Sequence, residues 1–150
     1  MKIAIGSDHA AYEAKAHIRQ YLESSGNQVI DFGTHSEESC DYPDYAMKVS
    51  LAIQSDEVDS GVLICGTGIG MSIAANRYSG VRAALCYTEE LAKLSRLHNN
   101  SNLICLGART QSLDQMEKIV GIWLETHWEG ERHARRLNKI ESNSRGQNVK

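Results

Sequence analysis

Five short β-rich runs, residues 3–6, 29–32, 62–65, 81–86 and 103–106, recur along the chain, and the segments between them carry a helical period. Strands spaced this way cannot all pair through tight hairpins. They need crossover connections, and crossovers give a parallel sheet with helices packed on it. The first helix is predicted over Ala11 to Ser25, with Ala11, Ala14, Ile18, Tyr21 and Leu22 on one face and Gly26 as its stop. A second opens at Asp41-Tyr42-Pro43, where proline suits a first-turn position because its missing N–H would be unpaired there anyway. Another begins near Thr88. Ser112 and Gln115 stand in capping-box spacing ahead of Leu113, Met116, Ile119, Val120, Trp123 and Leu124. A last helix follows Gly130, from Glu131 to about Ser142, with 143–150 as a frayed tail.

A chain of 150 residues, 41% hydrophobic and 23% charged, is expected to form a single domain over 1–150 with a core that needs neither disulfide nor metal. The N-terminus has too short an apolar run for a signal peptide, and no apolar stretch is long enough to span a membrane, so a cytoplasmic protein is expected. Cys40, Cys65, Cys86 and Cys105 show no two-residue spacing of the kind that builds zinc sites or redox pairs. Free thiols are expected, with Cys86 and Cys105 as small core residues.

In open parallel sheets ligands bind beyond the carboxyl ends of the strands, where the strand order reverses. Residues at those ends are Ser7, Asp8 and His9 after the first strand, Gly66 to Gly70 after the third, and Gly107, Ala108 and Arg109 after the fifth. With the first strand beside the third, Asp8 and His9 would face Cys65 across the crevice.

Gly66-Thr67-Gly68-Ile69-Gly70, ahead of the helical Met71 to Asn76, is a glycine-rich strand-to-helix turn. Without Cβ atoms the chain can fold its N–H groups toward an anion, and the helix N-terminus adds positive potential. Two familiar patterns miss. The third glycine falls one position early for a dinucleotide fingerprint, and Thr67 occupies the lysine position of a Walker loop. An oxyanion or phosphate site is the better reading than a turn that serves the backbone alone. Cys65, at the start of the turn, would have its thiolate favoured by the same N–H groups and could act as nucleophile or general base.

Other candidates are more ambiguous. His98 closes the fourth helical pattern and is followed by Asn99; it serves either a site or only the helix dipole. Asp8 either serves only as the cap of the first helix or has a second role beside that one. Arg132 and Arg136, four apart on the last helix with His133 close by, share one face and can clamp a dianion, although a solvated charged face explains them equally well. His17, His35 and His127 show no supporting partners.

Gly6-Ser7-Asp8-His9-Ala10, Asp41-Tyr42-Pro43, Cys65 through Asn76, His98-Asn99 and Glu129-Gly130-x-Arg132-His133 together resemble, in order and spacing, the ribose-5-phosphate isomerase B family over nearly the whole chain. The resemblance implies a three-layer α/β/α sandwich, Rossmann-like, around a five-stranded parallel sheet. It also implies a homodimer with active sites shared between subunits, and interconversion of ribose 5-phosphate and ribulose 5-phosphate through an enediolate, without metal or organic cofactor. By the same resemblance Cys65 is the base at C2. Gly66, Thr67, Gly68, Ile69 and Gly70, with Asn99, hold the negative oxygens. Asp8, Thr67 and His98 assist ring opening, and His9, Arg109, Arg132 and Arg136 bind phosphate. Glu131, where relatives often carry glycine, and Trp128, where tyrosine or phenylalanine is frequent, are departures that bear on the preferred sugar.

Two alternatives stand beside this one: isomerisation of a six-carbon sugar phosphate, such as allose 6-phosphate or galactose 6-phosphate, and a non-catalytic phosphosugar-binding module. Pairing of dimers into tetramers is left open. Nucleic acid and membrane are not expected partners. The net charge of −3 averages −7 over residues 1–130 and +4 over 131–150, so the basic segment is short and suits one small anion better than a polyanion.

Overall fold

The computed structural model describes residues 1–130 and 132–146; Glu131 and residues 147–150, half of the expected frayed tail, lie outside the described residues. The order of elements is β1 (Lys2–Ser7), a 3-10 turn (His9–Ala11), α1 (Tyr12–Ser24), β2 (Gln28–Asp31), α2 (Tyr42–Gln54), β3 (Ser60–Cys65), α3 (Ile69–Ala75), β4 (Ala83–Leu85), α4 (Glu89–Asn99), β5 (Leu103–Gly107), α5 (Leu113–Glu125) and α6 (Arg132–Gly146). The five strands form one sheet in the order β2-β1-β3-β5-β4, and every neighbouring pair is parallel.

The two-residue period of the strands divides the core. Ile3 and Ile5, Val62 and Ile64, and Ile104 and Leu106 pack with Ile18 and Leu22 of α1, Ala92 of α4, and Met116, Ile119 and Trp123 of α5. Their alternates Ala4, Leu63, Cys65, Leu103 and Cys105 pack with Val49 and Ile53 of α2 and Met71 and Ala75 of α3. Both faces of the sheet are therefore covered, and the architecture is the expected three-layer α/β/α. It also places the Cys65 side chain on the α2/α3 side.

Several local expectations are altered by tertiary contacts. The fourth strand covers three residues, not 81–86, because the Arg82 N–H donates to the Asn102 side chain, at 2.8 Å. Ser112 caps α5 as expected, but Gln115 does not complete a capping box: its side chain donates to the Tyr87 carbonyl at 3.1 Å. Asp8 caps the 3-10 turn ahead of α1. The last helix continues to Gly146, four residues past the expected end. All four cysteines are free thiols, with Cys86 and Cys105 buried.

Candidate active site

From β1 the chain crosses to β2 on one side and to β3 on the other, so the strand order reverses between β1 and β3. Cys65 is the last residue of β3 and is 5% exposed. The Gly68 N–H donates to its sulfur at 3.1 Å. Gly68 caps α3 in the left-handed region, at φ +78, and a Cβ there would stand 2.9 Å from the Leu106 carbonyl oxygen and 2.7 Å from a Leu85 methyl. Only glycine meets both demands. The turn is held from three sides. Tyr87 donates its hydroxyl to the Thr67 carbonyl at 2.6 Å, the Tyr42 ring lies against Gly70, and the N–H groups of Ala108 and Arg109 donate to the carbonyls of Cys65 and Gly66 at 2.8 and 2.9 Å. The Thr67 hydroxyl accepts the Ile69 N–H at 3.4 Å. The Arg109 side chain runs along Gly66.

Across the crevice, Asp8 is 8% exposed and accepts the Ala10 N–H at 3.1 Å. Burial pushes its carboxyl above the usual range, while His9, the N–H groups of Ala10 and Ala11, and Arg109 pull the other way. His9 Nδ1 lies 3.2 Å from the Cys40 N–H and 3.3 Å from the Cys40 carbonyl oxygen. Nδ1 can accept from the first in one tautomer, which leaves Nε2–H a donor, or donate to the second in the other. A brace lies behind these residues. The buried Lys15 ammonium donates to both Asp31 oxygens and to the Thr34 carbonyl, at 2.6 to 2.7 Å. It thereby fixes the Gly33–Thr34 loop, which exchanges backbone hydrogen bonds with Ser7 at 2.7 and 2.8 Å.

His98, Asn99, Arg132 and Arg136 lie elsewhere. Helix α4 begins beyond the carboxyl end of β4 and runs back toward the start of β5, so its last turn sits at the amino edge of the sheet, whereas Cys65 pairs with Gly107 at the carboxyl edge. The five residues of β5 alone separate the edges by about 13 Å at ~3.3 Å per residue. Next to the end of α4 packs the start of α6. There the His98 and His133 rings stack with centroids 4.5 Å apart, Arg132 Nε donates to His133 Nε2 at 3.1 Å, and Glu129 Oε2 is 3.5 Å from the same nitrogen. Desolvation, helped by His98, Arg132 and Arg136, holds the His133 imidazole below its ordinary pKa. Arg132, Arg136 and Asn99 are exposed. One chain therefore gathers Asp8, His9, Cys65, Gly66, Thr67, Gly68, Ile69, Gly70 and Arg109 at one edge, and His98, Asn99, Arg132 and Arg136 at the other.

The sequence pattern of the Ribose/Galactose Isomerase family matches residues 3–140. The chain belongs to that family. Among its relatives, ribose-5-phosphate isomerase B of Escherichia coli K12 is 47% identical over 139 residues, 93% of each chain. The structure of ribose-5-phosphate isomerase B from Clostridium thermocellum superposes with a TM-score of 0.96 at 49% identity, covering 97% of this chain and 99% of that one. The Mycoplasma genitalium enzyme, solved with bound ribulose 5-phosphate, superposes with a TM-score of 0.93 at 38% identity, covering 97% of both chains.

Sequence reasoning missed several neighbours of this candidate site. Tyr87 follows β4, so extending the carboxyl-end rule to that strand would have found it. Tyr42 was legible as part of a helix start and of the family pattern, with no role assigned to it. The contact of Cys40 with His9, across 31 residues, left no signal, because Cys40 makes its shorter bonds to the ring through its backbone N–H and carbonyl, at 3.2 and 3.3 Å.

Proposed function

We propose that the chain interconverts D-ribose 5-phosphate and D-ribulose 5-phosphate by proton transfer through an enediolate, with Cys65 as the base. The observation that carries this reading is the Cys65 sulfur inside its glycine turn, hydrogen-bonded by Gly68 at the carboxyl end of β3, next to the end of β1 that leads into Asp8 and His9. Relatives 47% and 49% identical that bear the name ribose-5-phosphate isomerase B support the choice of reaction.

Ring opening comes first: the proton on O1 leaves and the ring oxygen gains one, with Asp8, Thr67 and His98 assisting. The Cys65 thiolate then takes the C2 proton. The released electron pair forms the C1–C2 double bond and the aldehyde oxygen takes the negative charge, which the turn's N–H groups and Asn99 stabilise. Transfer of the O2 proton to O1 and return of a proton from the Cys65 thiol to C1 complete the ketose. His9, Arg109, Arg132 and Arg136 grip the phosphate and set the register of the carbon chain.

Because the two residue groups lie at opposite edges of one sheet, a complete site requires two copies, and the active form in this reading is a homodimer. The outer surfaces of α2 and α3 support it. Met47 and Leu51 on one, and Ile69 and Ile73 on the other, are exposed apolar pairs four residues apart, suited to burial against a second copy. No described helix is long and apolar enough to cross a membrane. The chain works in this reading as one domain in the cytoplasm.

The deciding experiment is incubation with ribose 5-phosphate in heavy water. Loss of the C2 proton signal together with appearance of ribulose 5-phosphate is expected; an unexchanged C2 proton removes this reading and leaves a six-carbon sugar phosphate as substrate or a phosphosugar-binding module.

A further inference from the structure

The stacked histidines at the amino edge do more than the isomerase reading uses. His98, Glu129 and His133 each offer one ligand atom, and the three atoms lie within 4.8 Å of one another. We propose that these three residues form a site for a divalent transition metal of borderline softness, with zinc as the reference ion, whose capture shuts off turnover. The effect on turnover rests on His98 acting in ring opening; the binding itself does not.

Two imidazoles and a carboxylate are a donor set that zinc accepts, with a fourth position left for water or an anion. Two ligand atoms on a tetrahedral ion with arms of ~2.1 Å stand about 3.4 Å apart. The 3.5 Å between Glu129 Oε2 and His133 Nε2 already matches that edge. His133 is fixed by burial, at 6% side-chain exposure, whereas the Glu129 carboxylate is 49% exposed and free to adjust. Closing the two edges to His98 requires its ring to turn out of its stack, where the interplanar angle is 14°. It also requires Arg132 to release His133 Nε2. Both movements explain the inhibition: the ion takes a nitrogen of His98 and dislodges a phosphate-binding guanidinium in one event. Magnesium and calcium are poor occupants, because they prefer all-oxygen shells.

The test is titration of the full-length wild-type protein and of Glu129→Gln and His133→Gln with Zn2+ by calorimetry and with Co2+ by visible absorption. Expected are one ion per chain in the wild type, cobalt bands without a sulfur-to-metal charge-transfer band, and binding weakened at least about tenfold in each variant, as loss of one of three protein ligands implies. Glu129→Gln is a surface change that leaves folding intact, so it is informative whatever happens to His133→Gln. No uptake by the wild type, equal uptake by Glu129→Gln, or a charge-transfer band that puts the ion on a cysteine overturns the proposal. Turnover is then measured with and without Zn2+ within each protein. Inhibition that a chelator reverses in the wild type, with weaker inhibition in Glu129→Gln, is expected; zinc bound at the site with turnover unchanged overturns the inhibitory role. A wild type that binds zinc but never isomerises ribose 5-phosphate removes the functional reading instead, and keeps the metal site.

Discussion

The Gly68 N–H points at the Cys65 sulfur from 3.1 Å, across a turn that only a residue in the left-handed region can make. The bond joins the backbone conformation of one residue to the chemistry of another. Its consequence is directly measurable. Gly68→Ala places a Cβ against the Leu106 carbonyl at a strained φ, and should cost about 1–3 kcal/mol of stability in urea unfolding. It should also lower kcat more than it raises KM, because the displaced N–H serves the sulfur and not the phosphate.

Cys65→Ala should leave phosphosugar binding within a few-fold by calorimetry while turnover falls about 10²–10⁴-fold, the usual worth of a positioned base. Unchanged turnover would remove Cys65 from the mechanism.

Tyr87→Phe removes the hydroxyl that holds the Thr67 carbonyl. One hydrogen bond of about 0.5–1.5 kcal/mol corresponds to a drop of roughly 2- to 12-fold in kcat/KM. The protein should still unfold cooperatively near the wild-type midpoint, since Tyr87 lies outside both core clusters.

Asp8 offers a test through pH. Burial raises its folded-state pKa above 3.8, so the folded protein binds its proton more tightly than the unfolded chain does. The favourable contribution is fully present below the unfolded value and is lost as pH rises through the folded one; at neutral pH the ionised carboxylate is a net cost. Asp8→Asn, which keeps an oxygen for the Ala10 N–H, should therefore raise the neutral-pH stability while lowering activity. The stability gain should vanish at acidic pH, as followed by urea midpoints across the titration.

Cys65 and His98 at opposite sheet edges predict complementation between subunits. Cys65→Ala and His98→Asn, each nearly inactive alone, should regain about a quarter of wild-type activity when mixed and refolded at equal amounts: half of the dimers are mixed, and each of these has one of two sites intact. Sites confined to one chain would give no recovery.

Much of this was legible in the residues themselves. The alternation of β-rich runs with helical segments pointed to a parallel sheet, and the period of two within Ile3-Ala4-Ile5 and Val62-Leu63-Ile64-Cys65 sends neighbouring side chains to opposite faces, each met by its own pair or trio of helices. The glycine turn was readable because it is local: Cys65 and Gly68 are three residues apart, and steric exclusion of a Cβ writes itself directly as glycine. Asp8, His9 and Arg109 were found by a topological rule that needs only strand ends.

What tertiary structure alone decided is the distribution of these groups in space. Nothing in the spacing of His98, Arg132 and Arg136 says that they stand a full strand length from Cys65; that follows from a helix running back across the sheet before β5 begins. Likewise the grip of Cys40 on His9, the support of Thr67 by Tyr87, and the stack of His133 on His98 join residues 31, 20 and 35 positions apart. Short-range sterics and periodicity are recorded in neighbouring residues. Contacts between distant segments are fixed only when the sheet and its helices pack and bring those segments to one place.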